Sequence, residues 1–317
     1  MHYREHSLLG SKVSVIGFGG AALSGEGGGY GFGDMSEEKA EKLIHSAWDM
    51  GINVFDSAPI YGFGLSEERL GKYLHKDALI VTKGGVDWHS TKRVNMSNDP
   101  KIIEKMLLES LKRLKRDQIH LYMIHWPDKN VDIRRPLEVL AKYQQKGAIG
   151  EIGLCNTNLT DLKLAQDVVK ISALQSELNA LNTNAFDDLG DEWKKYFTMS
   201  WGTFDKGILT GRVHSERKYD KSDARSWAPW WNKKEVQEKV AKVAQLKQLL
   251  LKHDYSLDQF CLSFNLFYYE INQSLVGVKS LEDLVQLTSN LQKIIPRENI
   301  HTILQQWNNY GTKSNDS

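Results

Sequence analysis

Four side chains that can move a proton or hold an anion sit at one kind of place in this 317-residue chain. Each falls at or just after the end of a short apolar run. Ile52 to Phe55 runs into Asp56, and Tyr61 follows within Asp56-Ser57-Ala58-Pro59-Ile60-Tyr61-Gly62-Phe63-Gly64. Ala78 to Thr82 runs into Lys83, and His120 to Ile124 into His125. An ionised carboxylate at the buried end of a strand needs a cation or several hydrogen bonds, and Lys83 is the cation on offer. A phenol, with a reference pKa of about 10, is a poor acid near neutrality. A neighbouring cation stabilises the phenolate and can lower that pKa by about 1–3 units. Lys83 is expected to tune Tyr61 in this way, and Asp56 to hold the ammonium in place. His125 offers a neutral N–H that can orient and polarise a substrate oxygen. A tyrosine acid beside a histidine donor suits reduction of a carbonyl, with hydride reaching carbon as the proton reaches oxygen.

The scaffold that must bring these groups together is written in the alternating period of the apolar residues. Tyr3 to Leu9 and Lys12 to Ser14 form a small hairpin ahead of Val15-Ile16-Gly17-Phe18. Ser36 then caps a helix whose apolar face is Ala40, Leu43, Ile44, Ala47 and Trp48 and which Gly51 stops. Strand Ile52–Phe55 follows. The same alternation continues through strands Ala78–Thr82, Ile119–Ile124, Ile149–Leu154, Ile171–Leu174, Tyr196–Trp201 and Gln273–Val278. Between them lie helices that open at Ser66 and Asp99-Pro100, then at about 135–145, 160–169 and 187–195. Most strands are continuous apolar runs, as parallel strands covered on both faces are. Eight strand–helix alternations predict a (β/α)8 TIM barrel in the α/β class, a single domain over residues 1–310 with a disordered tail at 311–317. Helical stretches at about 233–252, 256–269 and 297–307 are surplus to the alternation.

Composition excludes several classes of function. The net charge of +1 gives no global reason to expect nucleic acid or an acidic membrane surface. The basic run Lys112-Arg113-Leu114-Lys115-Arg116 reads as a solvated helix end. No stretch is apolar for long enough to span a bilayer, and Met1 to His6 carries no apolar signal region. Cys155 and Cys261 are the two cysteines, each in an apolar setting, which suits a reduced, cytoplasmic protein. No Cys/His spacing suggests a metal.

Hydride requires a cofactor. Gly17-Phe18-Gly19-Gly20-Ala21-Ala22 fits the dinucleotide fingerprint after a strand, but that motif needs a helix opening at its glycines. The run Ser24-Gly25-Glu26-Gly27-Gly28-Gly29 that follows here cannot supply one. Gly20 and its neighbours read instead as a place where a flat ligand approaches the first strand closely. Asn156 and Gln175 are amides that can bind a carboxamide edge, and Trp201 offers a face for a ring. Gly207-Ile208-Leu209-Thr210-Gly211 reads as a pyrophosphate cradle. Gly202, Phe204, Gly207 and Leu209 are counted with the cofactor site. Gly277-Val278-Lys279-Ser280 opens a helix, where a lysine and a hydroxyl suit a phosphate. Asp283 follows one turn on. Trp88, Trp126, Trp227, Trp230 and Trp231 fall in loops expected on the same rim, as packing or as apolar pocket walls. Trp88, His125 and Trp126 are the candidate substrate contacts.

The chain resembles the aldo-keto reductase superfamily over nearly its whole length. The resemblance is carried by Phe55-Asp56-Ser57-Ala58-Pro59-Ile60-Tyr61-Gly62, Thr82-Lys83, Leu121-Tyr122-Met123-Ile124-His125-Trp126-Pro127, Ile152-Gly153-Leu154-Cys155-Asn156 and Gly207-Ile208-Leu209-Thr210-Gly211. It implies a (β/α)8 barrel that binds NADP(H), less often NAD(H), in extended form. It also implies an Asp–Tyr–Lys–His tetrad matched here by Asp56, Tyr61, Lys83 and His125, with a pro-R hydride and a proton from Tyr61. Asn156 and Gln175 match the carboxamide positions, Trp201 the stacking position, and Lys279 and Ser280 the adenosine-phosphate positions. Cys155 and Gly202 stand where serines are usual. Asp283 stands where Arg or Gln is common, and Leu287 where an Asn is. An acid near a 2′-phosphate is unfavourable. The expected activity is NADP(H)-preferring reduction of an aldehyde or ketone, with a sugar-like substrate permitted. The other class implied is a redox-sensing binding subunit with slow chemistry, resembling the potassium-channel β subunits.

Overall fold

The computed structural model describes residues 1–6, 11–25, 30–214 and 216–310. Residues 7–10, 26–29, 215 and 311–317 lie outside the described residues, and with them the end of the strand expected over Tyr3 to Leu9 and the tail expected to be disordered. The hairpin itself is β1 (Tyr3–His6) paired antiparallel with β2 (Ser11–Ser14).

The next strand in the chain, β3 (Ile16–Gly19), is the first of the barrel. It is followed by α1 (Glu37–Asp49), β4 (Val54–Asp56), α2 (Leu65–Tyr73), β5 (Leu79–Gly84), the strands β6 (Val86–Trp88) and β7 (Val94–Met96), and α3 (Pro100–Leu114). Then come β8 (Ile119–Ile124), α4 (Arg134–Gln145), β9 (Ile149–Cys155), α5 (Leu159–Gln166), β10 (Ala173–Glu177), α6 (Asn184–Asp187) and β11 (Phe197–Trp201). The chain continues with α7 (Lys233–Leu251), α8 (Leu257–Ser263), β12 (Gln273–Val276), α9 (Leu281–Asn290) and α10 (Arg297–Tyr310). Strands β3, β4, β5, β8, β9, β10, β11 and β12 close in that order into a parallel barrel, and Ser274 of β12 pairs back to Ile16 of β3. Seven barrel strands fall largely on the apolar runs of the sequence, whereas β10, expected over Ile171–Leu174, shares only Ala173 and Leu174 with its run and continues through the polar Gln175-Ser176-Glu177.

The helices start where their caps dictate. Ser36 accepts from the Lys39 N–H at the head of α1, Asp99 accepts from the Lys101 N–H ahead of Pro100, and Ser256 and Gln259 form a reciprocal capping box at α8. Three details differ from the sequence reading. The helix expected over 187–195 is a single α-turn followed by a 3-10 stretch, Gly190–Lys195, because Gly190 adopts a φ of +56° and breaks the run. The helix expected over 256–269 ends at Ser263 and passes into a π-turn, Phe264–Tyr268. The hairpin β6–β7 past Lys83 was not legible, since each strand is three residues long.

Strand alternation sorts the two sides of the barrel wall. Val54, Val81, Leu121, Met123, Ala173 and Met199 pack with one another inside the barrel. Phe55, Ile80, Tyr122 and Leu174, one residue away along the same strands, pack outward with the helices. The next inward positions towards the carboxyl ends are Asp56, Lys83 and, past β8, His125. The fold thus puts a polar layer on top of an apolar plug. No helix among the described residues is long and apolar enough to cross a membrane.

Candidate active site

At the carboxyl ends of β4 and β5 lies a fully buried ion pair. Lys83 Nζ donates to both oxygens of Asp56, at 2.7 and 2.8 Å, and to the Ser57 carbonyl at 2.8 Å. All three ammonium hydrogens are therefore matched. Asp56 is the last residue of β4 and Lys83 the next to last of β5. Burial pulls the Lys83 ammonium down, but Asp56, with smaller help from its neighbours, outweighs it and holds the group above its usual range. Burial also pushes the Asp56 carboxyl up, against the pull of Lys83 and of Gln175. With both carboxylate oxygens inside 2.8 Å of the nitrogen, the pair is ionised.

Tyr61 and His125 stand over this pair. Lys83 Nζ lies 5.6 Å from the centre of the Tyr61 ring, and the Tyr61 and His125 rings meet edge to face at 6.1 Å and 88°. Burial pushes the Tyr61 phenol up to about 12, with Lys83 opposing and Asp56 adding to the rise. The expected downward tuning by Lys83 is thus present but outweighed, because desolvation disfavours the phenolate and Asp56 offsets most of the ammonium's charge. The phenol keeps its proton at neutral pH. Burial, with Lys83 adding, holds His125 well below the usual imidazole value, so it is neutral and carries one N–H. A protonated phenol, a neutral imidazole and a fixed ammonium beneath them can hydrogen-bond a carbonyl oxygen and deliver a proton to it.

The candidate carboxamide residues are already engaged with one another. Asn156 Nδ2 donates to the His125 carbonyl and to Cys155 Sγ, both at 3.1 Å, and its Oδ1 accepts from Trp201 Nε1 at 3.1 Å. Gln175 lies within β10 rather than at its end. Its Nε2 donates to Asp56 Oδ2 at 2.9 Å, and its Oε1 accepts from Cys155 Sγ at 3.5 Å. Trp201, at the end of β11, is partly exposed. Gly20 lies against the Asp56 carbonyl and Ser66 Oγ, where a Cβ would come within 2.6–2.7 Å of each, so its lack of a side chain serves the β3–β4 contact.

The stretch from Gly202 to Gly211 turns tightly. Gly202 and Gly207 have positive φ, as do Asp205 and Lys206 between them, while Phe204 is partly exposed and Leu209 is buried. Lys206 Nζ bridges Glu177 at 2.9 Å and Asp205 at 3.1 Å and lies 5.8 Å from both the Trp201 and Trp230 rings. Lys239 meets the other oxygen of Asp205 at 2.7 Å. Sequence reasoning missed Glu177, although it shares the strand parity of Gln175, a signal that could have found it. Lys279 is half-buried and donates to the Phe32 carbonyl. Ser280 caps α9 by accepting from the Asp283 N–H. Asp283 pairs with Arg212 at 2.7 Å, a partner no local pattern announces.

On the substrate side, Trp88 packs edge-on against Phe63 at 5.4 Å, and Trp126, directly after His125, is 39% exposed. Trp227 pairs with Tyr30 at 6.3 Å. A separate cleft of 610 Å³ on the outer wall, beside α2 and α3, includes Arg69, paired with Glu37, and Arg113, paired with Glu109.

Residues 15–307 match the model of the aldo/keto reductase family. The chain belongs to that family. It is similar to the aldo-keto reductase YhdN of Bacillus subtilis (strain 168), with 30% identity over 316 residues, 96% of this chain and 94% of the relative. It is also similar to an NADH-specific methylglyoxal reductase of Escherichia coli (strain K12), with 24% identity over 291 residues, 86% of this chain and 88% of the relative. Among solved structures, the glycerol dehydrogenase AKR11B4 from Gluconobacter oxydans superposes with a TM-score of 0.82 at 25% identity, covering 96% of this chain and 95% of its own. Membership makes this aldo/keto reductase an oxidoreductase that acts on carbonyl groups with a nicotinamide cofactor.

Proposed function

We propose that this aldo/keto reductase reduces an aldehyde or ketone to an alcohol, with Tyr61 as the proton donor and NADP(H) as the preferred cofactor. The observation that carries the reading is the protonated Tyr61 phenol beside a neutral His125, above the buried Lys83–Asp56 pair. His125 donates its N–H to the carbonyl oxygen and sets the oxygen's direction. Tyr61 hands its proton to that oxygen as negative charge builds there. Lys83 stabilises the phenolate left behind, and Asp56 keeps the ammonium fixed. The bound nicotinamide supplies the hydride to the carbonyl carbon. The test is a panel of aldehydes, ketones and small sugars offered with NADPH and with NADH. Steady carbonyl-dependent oxidation of the cofactor is expected, whereas binding without turnover across the panel would favour the redox-sensing reading.

The donor set fits a nicotinamide in part. Asn156 Oδ1 accepts one bond and has a lone pair left for a carboxamide N–H, and Trp201 offers a partly exposed ring beside it. Trp201→Ala is expected to weaken NADPH binding by on the order of 1 kcal/mol, the scale of a stacking contact. Fluorescence titration reads this directly, and unchanged affinity would remove Trp201 from the ring's surroundings.

At the other end of the cofactor, Lys279 uses one of its three donors on Phe32, so an anion can still meet the ammonium. Asp283, the acid expected to oppose a 2′-phosphate, has its charge offset by Arg212. An exposed pair of this kind is worth about 0–1 kcal/mol, so the preference for NADPH over NADH is expected to be about tenfold or less. Lys279→Ala should weaken NADPH and leave NADH nearly untouched. Asp283→Asn should release Arg212 towards the phosphate and widen the gap. Dissociation constants for both cofactors decide this, and a wild-type protein that binds NADH more tightly would reverse the assignment.

Trp88 and Trp126 are proposed as walls of the substrate site, where an aromatic face can take a sugar or polyol ring edge. The structural likeness to a glycerol dehydrogenase is compatible with a polyol-like substrate. Both cysteines are free and buried, which suits a reducing, cytoplasmic setting.

A further inference from the structure

We propose that Glu67 is a positioning residue for Tyr61, and that Thr82 and Arg113 are the two groups that hold it in that role. The inference rests on the reading of Tyr61 as the proton donor above Lys83. Glu67 lies in the first turn of α2 and is fully buried, yet no step of the proton transfer uses its charge. Its Oε1 accepts from Thr82 Oγ1 at 2.6 Å, and its Oε2 accepts from Nε of Arg113, on α3, at 2.7 Å. Thr82 is the residue before Lys83 on β5. One carboxylate therefore joins the helix that follows Tyr61 to the strand that carries Lys83.

The turn between Tyr61 and α2 needs such an anchor. Gly62, Phe63 and Gly64 all have positive φ, at 65°, 54° and 100°, and Phe63 carries a side chain that this region disfavours. Backbone in this state persists where its surroundings over-determine it. Arg113 supplies part of those surroundings. A Cβ on Gly64 would come within 2.9 Å of Arg113 Cδ, so the arginine stem packs against the turn while its Nε holds Glu67. Ser66 ties the turn on another side. Its N–H donates to the Tyr61 carbonyl at 3.2 Å, and its Oγ donates to the carbonyl of Gly20, just past β3, at 2.9 Å. Ser66 thus fixes Tyr61 relative to β3, and Glu67 fixes it relative to β5. Sliding α2 along β5 would leave a buried carboxylate oxygen without its donor, which is costly, so the register of helix on strand is held. Strand alternation turns Thr82 away from the barrel interior that Lys83 faces. Glu67, with no exposed surface, acts from behind the site, out of reach of substrate and cofactor.

The test separates positioning from plain support of the fold. Thr82→Val keeps the branched shape and removes the donor to Glu67, and Thr82→Ser restores a donor. Arg113→Lys keeps the cation and loses the planar fork. With NADPH and an aldehyde substrate, Thr82→Val is expected to lower kcat by about fivefold, since a small misplacement of a reacting group is costly. Arg113→Lys should lower it in the same direction. The NADPH dissociation constant should stay within about twofold in both, a split that marks an interaction made in the transition state. Thr82→Ser is expected to recover most of the loss. In a Tyr61→Phe background, Thr82→Val should change the residual kcat by less than about twofold, because residues that act as a unit are not additive. In parallel, deuterium exchange of the amides over 61–66 should quicken at least about threefold in Thr82→Val and return in Thr82→Ser, while β8 and β9 exchange as in wild type, the mark of a local opening. Wild-type kcat in either Thr82→Val or Arg113→Lys overturns the proposal, as does an equal loss in the Tyr61→Phe background. So does unchanged exchange over 61–66 in Thr82→Val, or a serine variant that fails to restore it. The exchange arm needs no turnover, so a wild-type protein inactive on every carbonyl would defeat the reductase reading while exchange still decides the anchor.

Discussion

Replacing Tyr61 by phenylalanine is expected to lower kcat for carbonyl reduction by at least ~10²-fold, the lower range for removal of a general acid. The side chain loses a single oxygen, its ring stays against His125, and the Lys83–Asp56 pair beneath is untouched. Cofactor affinity and thermal stability should therefore remain near wild type. The pH dependence follows from the raised phenol. A group at about 12 is protonated throughout the neutral range, so reduction should not fall between neutral and mildly alkaline pH through loss of this proton. Alcohol oxidation, which needs the phenolate, should rise with pH over the same span. A Tyr61→Phe enzyme with wild-type turnover would show that the proton comes from elsewhere.

Lys83→Met should be nearly as severe for turnover and more severe for stability. The change leaves Asp56 buried, holding one donor from Gln175 and none from an ammonium. Removing one partner of a buried ion pair costs about 3–5 kcal/mol. Here the loss should lie towards the lower end, since burial already pushes the Asp56 carboxyl up and lets it take a proton instead. Without Lys83 the charge that pulls the Tyr61 phenol down is gone, so Tyr61 becomes a weaker acid. His125, no longer depressed by the nearby ammonium, should titrate at a higher pH than in wild type. Asp56→Asn should be milder, because the ammonium keeps the Ser57 carbonyl and can still donate to the one oxygen of the amide. Thermal melts and pH–rate profiles of the two variants check the order. Equal stability of Lys83→Met and wild type, with activity retained, would make the ion pair incidental.

The barrel was legible because its strands are buried on both faces and so appear as unbroken apolar runs. The polar residues that end those runs were legible for the same reason, since Asp56, Lys83 and His125 interrupt a pattern that tolerates few charges. What could not be read was anything that depends on the sum of several surroundings. The cation beside Tyr61 was visible in the sequence, but the desolvation that outweighs it is a property of the folded mouth. Gln175 was recognisable as an amide near the site, whereas its bond to Asp56 joins residues on strands that are not neighbours in the barrel. The pairing of Asp283 with Arg212 joins the segment after Gly211 to α9, with β12 between them in the chain. Gly190 and the π-turn at Phe264–Tyr268 show the converse, local backbone choices that hydrophobic periodicity alone does not register.

The central claim is direct hydride delivery to a carbonyl that Tyr61 protonates. It is tested most directly by incubating the wild-type protein with NADPH carrying deuterium at the pro-R position of C4 and an aldehyde it turns over, then locating the label by mass spectrometry. The account predicts one deuterium on the carbinol carbon of the alcohol, with label transfer slowed at least ~10²-fold in Tyr61→Phe, as for loss of a general acid. Alcohol formed without the label, or label transferred at the same rate by both proteins, would contradict it.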